Sequence, residues 1–263
     1  MTADNRQVSI RVADGVGTVT LDAPERGNAL DGNGFLQLRD ALRQASSDDA
    51  VRVVVITGSG KNFCTGAALG RDRAHPHPLR SMQYVNGAAT ALHDLAKPSV
   101  ARVRGHAIGA GWSIGLGCDL VVADTSAKFS TMFTNRGLSP DLGASWLLPR
   151  IVGLQQAKRL SLLGESIDAT QALDLGLVTW VVDPDELDAQ VFRITSRLAQ
   201  APPVAVAQTI ALLNEGADCS FAQSLTGEAR ALAVNLATDD IVEARRAFQT
   251  KTSPNFTGGW SAS

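Results

Sequence analysis

Short runs of β-branched apolar residues alternate with helical patterns over most of the chain. Residues 51–57, Ser99–Val103 and 120–123 have the composition of buried strands. Apolar residues recur at helical spacing behind Asp31, a residue suited to an N-cap, and again over 79–95. Parallel strands need crossover helices of this kind. The alternation therefore predicts an α/β fold built from βα units.

The pattern differs at the two ends of the chain. The first 21 residues predict a strand, a turn at Asp14-Gly15 and a returning strand. The β-branched runs stop after Val182, and Ala, Leu and Glu then dominate. Three helix start signals follow, at Asp183-Pro184, Pro202-Pro203 and Asp218. We therefore predict a strand-rich core followed by a helical C-terminal portion.

Charge and cysteine content exclude several classes of partner. The 24 basic and 26 acidic residues give a formal net charge of −2, without the basic patch that nucleic acid or an anionic membrane attracts. The three cysteines are widely spaced, which disfavours a disulfide framework and a zinc site. No apolar run reaches the roughly 18 residues that span a bilayer, and no signal-peptide pattern is visible. We expect a cytoplasmic protein without nucleic-acid, membrane or metal partners.

Two segments rich in glycine follow predicted strands. In 61–69, the backbone N–H groups around Gly66 can turn outward and hold an oxyanion. An ordinary βα loop with Gly66 in a turn is the alternative. Segment 105–117 is denser in glycine, which costs roughly 1 kcal/mol at each helix-interior position. It predicts either a helix that begins near Gly109 with free amides facing a polar group, or tight helix packing.

Gly111–Gly115 matches the GxSxG motif of serine hydrolases. The serine of that motif needs a histidine base, which follows it in the chain of α/β-hydrolases. All histidines precede Ser113 here: they are His75, His77, His93 and His106. The strand signal also ends near Val103, too early for a tight strand-to-helix turn. We therefore interpret Ser113 as a buried helical hydroxyl.

Segment 137–150 carries an acidic residue before an apolar helical run. Asp141 follows Pro140 and suits the N-cap of that helix. If Asp141 instead lies against apolar walls such as Trp146, loss of hydration would raise its pKa toward the range useful for proton transfer. Both interpretations remain open at this point.

Taken in order, the three segments resemble the enoyl-CoA hydratase/isomerase (crotonase) superfamily over nearly the whole chain. Residues 24–30 are similar to the family's R-x-N-A-L segment, and 253–256 to its closing R-x-P-x-F. The resemblance implies a spiral of ββα turns over 1–200 that holds CoA and the active site. It also implies a helical trimerisation region over 201–263, a homotrimer or dimer of trimers, an acyl-CoA thioester substrate, and no cofactor beyond the CoA of the substrate.

The resemblance also implies two backbone donors. In the family pattern F-x-x-G-A-D-L, the residue after the glycine donates its N–H to the thioester oxygen, and that position is Ala67 here. The second donor is the middle residue of a G-G-G run, which is Ala110. Two fixed amides, one at a helix N-terminus, stabilise the oxygen of an enolate. Ala68 departs from the family, which usually has Asp there.

Two further departures bear on the reaction. Family hydratases use two glutamates, and the corresponding positions are Ser113 and Phe133, so ordinary two-glutamate hydration is not expected. Asp141 stands where several isomerases of the family carry their acid. Its surroundings, G-L-x-P-D-x-G…W-L-L-P-R, resemble the ring 1,2-epoxyphenylacetyl-CoA isomerases. We expect an isomerase with Asp141 as acid and base; a hydratase that uses Asp141 through water and a non-catalytic CoA-binding or assembly protein are the alternatives.

The remaining substrate-binding candidates fall into two groups, one for the CoA part of the ligand and one for its acyl part. Arg26 and Lys251 are candidates for the CoA phosphates, and Trp112, Phe133 and Trp146 for an apolar acyl pocket, although core packing is the ordinary role of such aromatic residues. The other candidates that follow from the resemblance are Ala29, Cys64, Ala68, Leu69, Gly109 and Ser113.

Overall fold

Nine strands form two sheets within residues 6–68 and 77–260, which the computed structural model describes. The strands are β1 (Val8–Ala13), β2 (Val16–Leu21), β3 (Val53–Gly58), β4 (Ser99–Val103), β5 (His106–Ile108), β6 (Leu120–Asp124), β7 (Lys128–Ser130), β8 (Ser166–Asp168) and β9 (Trp180–Val182). The helices are α1 (Gly32–Ser47), α2 (Pro78–His93), α3 (Ala110–Leu116), α4 (Ala144–Leu163), α5 (Ala169–Asp174), α6 (Leu187–Ala199), α7 (Pro203–Gly216), α8 (Phe221–Leu236) and α9 (Asp239–Thr250).

The larger sheet has the strand order β1-β2-β3-β4-β6-β9. β1 and β2 form the predicted antiparallel hairpin, and every later pair is parallel. The central strand β3 is buried on both faces over 53–56, as expected for a parallel strand covered by helices. The prediction of an α/β fold from alternating strand and helix patterns is therefore confirmed.

Helices α1 and α2 pack against each other and on one side of this sheet. α1 begins where the sequence predicts, because the Asp31 carboxylate accepts a hydrogen bond of 2.9 Å from the N–H of Gly34. Its buried residues, among them Phe35 and Leu38, join the main apolar core. On the opposite face, α6 packs Leu187 and Val191 against the sheet.

The smaller sheet, β5-β7-β8, is absent from the sequence-based prediction. Each of its strands has only three residues, too few for a periodic pattern to show. β5 leads directly into α3, and β7 leads through a 3₁₀ turn at Thr134–Arg136 toward α4. This sheet therefore positions both the glycine-rich segment and the connection that carries Asp141.

Between β9 and residue 250 the chain is mainly helical, and residues 251–260 follow α9 without regular structure. α7 begins at Pro203 behind Pro202, as predicted, but α8 begins at Phe221 with Ser220 as its N-cap, so the start predicted at Asp218 is wrong. The reciprocal bonds between Ser220 and Gln223 form a capping box that fixes this start. The expected boundary at residue 200 lies between α6 and α7. Among the described residues, no helix is long and apolar enough to cross a membrane.

Candidate active site

The two segments rich in glycine lie side by side. Cys64 and Ala107 form an isolated parallel bridge: the Cys64 N–H donates to the carbonyl of His106 at 3.0 Å, and the Ile108 N–H donates to the carbonyl of Cys64 at 2.9 Å. A side chain at Gly111 would lie 2.2 Å from that Cys64 oxygen. Glycine at 111 is therefore required for this close approach.

Both predicted donors have backbone N–H groups without an acceptor in the described part of the chain. Ala110 is the first residue of α3, where no intrahelical acceptor exists. Its neighbour Gly109 has φ 55° and donates to the carbonyl of Ser130 at 2.8 Å, which turns the chain into the helix. Leu30 bonds to Gly66 and to Ala68 but leaves the amide of Ala67 free. The helix N-terminus expected near Gly109 is confirmed.

Ala67, Ala110 and Asp141 line one cavity of about 90 Å³. The other lining residues are Thr65, Gly66, Ile108, Gly109, Met132, Phe133, Arg136 and Leu138. Most of these are apolar, and Arg136 and Asp141 are the charged members among the described residues. Three separate connections, after β3, β5 and β7, thus bring two free amides and one carboxyl group together.

Asp141 is half-buried, and its Oδ1 is shielded from solvent without a hydrogen-bond partner within the described residues. Loss of hydration raises the pKa of this carboxyl to about 6. Asp141 does not cap α4, because that helix begins at Ala144 behind Gly143. Of the two interpretations open from the sequence, the structure therefore supports a carboxyl group against apolar walls.

The walls differ from those expected. Phe133, Leu138 and Met132 share the cavity of Asp141, whereas Trp146 lines a second cavity of about 300 Å³. There Trp146 stacks under Arg150 at 3.7 Å and meets the edge of His93 at 5.5 Å. Trp146, named from the sequence as a possible wall for Asp141, is therefore not among the residues that line its cavity.

The two cavities are neighbours. Asp141 lines the first and the next residue, Leu142, lines the second. Leu142 has φ 50°, a left-handed conformation that costs an L-residue about 1–2 kcal/mol, and its side chain is buried in the core. On α3, Ala110 faces the first cavity and Ser113 the second.

Ser113 and Trp112 are buried and make contacts that support the fold. The Ser113 hydroxyl donates to the carbonyl of Gly109 at 3.2 Å, so it is a buried helical hydroxyl, as the sequence predicts, and not a serine poised beside a histidine. Trp112 is 1% exposed and packs on Phe129 with ring centroids 4.4 Å apart. It belongs to the core and does not line either cavity, so its expected place in the acyl pocket is wrong.

A buried asparagine that sequence reasoning missed as functional organises the loop before Ala67. The Asn28 amide nitrogen donates to the carbonyls of Ser59, Asn62 and Phe63 at 2.9, 2.7 and 3.3 Å, and its oxygen accepts from the N–H of Ala23 at 3.0 Å. Asn28 is fully buried with φ 61°, a conformation that Asn tolerates. The only sequence feature that points to Asn28 is its place as the asparagine of the R-x-N-A-L segment.

The CoA-side candidates divide into neighbours of the cavity and distant residues. Arg26 accepts a hydrogen bond from the Thr65 hydroxyl through its carbonyl and lies beside Glu25 at 3.8 Å. Ala29 and Cys64 are buried, and burial raises the pKa of the Cys64 thiol to about 12, so this thiol is inert.

Lys251 is exposed at the end of α9 and does not line the cavity. Leu69 lies outside the described residues. Among the described residues, no group of three or more His, Cys, Asp or Glu side chains is arranged to hold a metal ion.

Two free amides and one carboxyl group around an apolar cavity are the arrangement of an enzyme that stabilises an oxyanion and moves a proton. The family model for enoyl-CoA hydratase/isomerase matches residues 11–259. The chain belongs to this family, and it is an acyl-CoA enzyme with the crotonase fold.

Some relatives are named as isomerases and others as hydratases. The 1,2-epoxyphenylacetyl-CoA isomerase of Escherichia coli (strain K12) is 35% identical over 253 residues, covering 94% of this chain and 97% of that protein. The crotonyl-CoA hydratase of Syntrophomonas wolfei is 33% identical over 243 residues, covering 90% and 92%. The crystal structure of an enoyl-CoA hydratase from Polaromonas sp. JS666 superposes with a TM-score of 0.90 at 33% identity, covering 95% and 99%.

Proposed function

We propose that the protein isomerises an unsaturated acyl-CoA, with Asp141 as its single acid and base. The observation that carries this proposal is the cavity shared by Asp141 and the free amides of Ala67 and Ala110. With the thioester oxygen at the two amides, the carboxylate takes a proton from one carbon of the acyl chain. The amides hold the enolate oxygen, and the same carboxyl group returns the proton to another carbon.

The pKa of Asp141 suits this shuttle. A carboxyl group with a pKa of about 6 is mostly ionised at neutral pH and takes a proton more readily than an ordinary carboxylate. Once protonated, it gives the proton back within the same cavity. One group therefore performs both transfers, and the reaction needs no other acid.

Hydration of a double bond requires one more catalytic group than the proposed isomerisation. Adding water across a double bond needs a group that activates the water as well as one that supplies a proton. Ser113 points its hydroxyl to the carbonyl of Gly109, and Phe133 offers no proton. The hydratase names among the relatives favour a second candidate, in which Asp141 activates an ordered water.

Incubation with 2-enoyl-CoA and 3-enoyl-CoA in deuterated water separates these candidates. Our proposal predicts a shifted double bond and no hydroxyl product, with deuterium in the acyl chain wherever the half-buried carboxyl group exchanges its proton with solvent between the two transfers. A 3-hydroxyacyl-CoA product would favour the hydratase. Binding of acyl-CoA with neither a shift of the double bond nor deuterium exchange would identify a non-catalytic CoA-binding or assembly protein.

We also propose that the protein is a homotrimer or a dimer of trimers in the cytoplasm. Large apolar side chains stay exposed on the last helices of the single chain, with Phe221 on α8 80% and Phe248 on α9 87% exposed. Burying such residues against another copy stabilises an assembly. All three cysteines are free thiols, which agrees with a reducing compartment.

A further inference from the structure

Arg136 is a cation in the candidate catalytic cavity that neither the sequence patterns nor the proposed function uses. It ends the 3₁₀ turn Thr134–Arg136, and Gly137 with φ 70° terminates that turn. Its side chain is exposed, and it makes no ion pair or side-chain hydrogen bond with the part of the chain that the structure describes. By contrast, Arg102 and Arg150 each bind a carboxylate at 2.6 Å.

The position of Arg136 in the cavity is specific. It lies on the connection from β7 to α4 that also carries Asp141, the residue that acts on the acyl carbons in the proposed function. The CoA side, in the proposed function, is the loop around Ala67, whose neighbour in the fold is Arg26. Arg136 therefore lines the same cavity as Asp141 and the two free amides.

Arg136 does not serve Asp141. The two side chains form no ion pair, and burial raises the pKa of Asp141 without an opposing contribution from a cation. A guanidinium within about 4–6 Å of the carboxylate would lower that pKa by 1–3 units. The charge of Arg136 is thus not neutralised by Asp141, and the exposed guanidinium can meet a charge on the ligand.

A guanidinium presents a planar set of donors that matches a carboxylate. A neutral, apolar acyl chain in this cavity would offer the guanidinium neither a negative charge nor a hydrogen-bond acceptor. We infer that Arg136 binds a carboxylate at the far end of the acyl chain, so that the protein favours CoA thioesters of dicarboxylic acids. This inference rests on the proposed function for the direction of the acyl chain.

The closing experiment measures equilibrium binding of two saturated thioesters of equal chain length, glutaryl-CoA and pentanoyl-CoA. We expect the unmodified protein to bind glutaryl-CoA about tenfold more tightly, which corresponds to about 1.4 kcal/mol. Arg136→Met should remove this preference without weakening pentanoyl-CoA, and Arg136→Lys should restore part of it. Arg11→Met, which removes an exposed arginine on β1, is the matched control and should keep the preference.

Two results would overturn the inference. One is equal binding of the two thioesters by the unmodified protein. The other is an equal loss of both thioesters in Arg136→Met that disappears when the matching pantetheine thioesters are used, because the anion would then be a CoA phosphate. Binding of saturated thioesters requires no turnover, so a failure of the proposed isomerisation would leave this measurement standing.

Discussion

Cys64 and Ala107 are joined as a parallel β-bridge that holds the loops carrying the two free amides in contact. The bridge is made by backbone atoms, so the identity of the two side chains matters less than the space between the loops. Gly66, with φ 102°, and Gly111 supply that space, since a Cβ at either position would meet a backbone oxygen at 2.9 or 2.2 Å. The distance between the loops therefore depends on two glycines.

Gly111→Ala should push the loops apart. We expect a loss of roughly 1–3 kcal/mol in stability, as for overpacked cores, and a fall in deuterium exchange of about a hundredfold, the usual effect of losing one oxyanion donor. Thermal unfolding and exchange kinetics measure the two effects. Gly216→Ala is the matched control, because a Cβ at this helical glycine of α7 has its nearest neighbour 4.0 Å away and should leave both quantities intact. Equal behaviour of the two variants would contradict the role of the glycine.

The activity should depend on pH through Asp141. Only the ionised carboxylate takes a proton, and its pKa is raised to about 6. The rate of exchange at low substrate concentration should therefore rise between about pH 5 and 7 and then level off. A rise centred near pH 4, the ordinary value for Asp, would show that the carboxyl group is solvated in the working protein.

Asp141→Asn should stabilise the protein at neutral pH. Asp141 has a higher pKa in the folded than in the unfolded protein, so ionisation of its carboxyl group lowers the stability of the folded state. This loss of stability is absent below about pH 4, where the group is protonated in both states, and is complete above about pH 6. The shift of about two units corresponds to an upper bound of about 3 kcal/mol, and solvent access to the half-buried carboxyl reduces it.

Denaturant unfolding at pH 4 and pH 8 measures this effect. The variant should be more stable than the unmodified protein at pH 8 and similar to it at pH 4. Asp174→Asn, at an exposed position of α5, is the control and should show no such difference. A variant that is less stable at pH 8 would contradict the unfavourable environment assigned to the carboxylate.

The proposed assembly predicts that a charge on α9 disrupts it. Phe248→Asp should shift the sedimentation of the protein toward the single chain, because the side chain is 87% exposed in that chain. Gln249→Asp places the same charge on the adjacent, also exposed residue and should leave the assembly unchanged. A monomer in the unmodified protein would refute the proposal.

The sequence predicts the parts of the fold with strong local patterns. β3 begins with a run of five β-branched residues, and α1 has an N-cap residue, so their positions follow from local physics. The strands β5, β7 and β8 are too short for such a signal, and their pairing depends on contacts distant in the chain. Without that sheet, the positions of Ala110 and Asp141 relative to each other cannot be derived from residue patterns alone.

In the candidate site, too, some features follow from the sequence and others depend on contacts between distant parts of the chain. Asp141 and the two amides are found from motifs, because the chemistry is carried by residue order. Phe133 lines the cavity of Asp141 and Trp146 lines the neighbouring one, a division that residue patterns do not reveal because it depends on the path of the chain after Gly143. Arg136 escapes detection because a lone arginine in a turn is ordinarily solvated.

The central claim is that Asp141 transfers the proton while the amides of Ala67 and Ala110 hold the enolate. Its most direct test is the rate at which the double bond of a 3-enoyl-CoA shifts in deuterated water, followed by NMR for the unmodified protein and for Asp141→Asn. We predict a rapid shift of the double bond in the unmodified protein, and a rate at least about a hundredfold lower in Asp141→Asn, with thioester binding retained. Equal rates in both proteins would contradict the account.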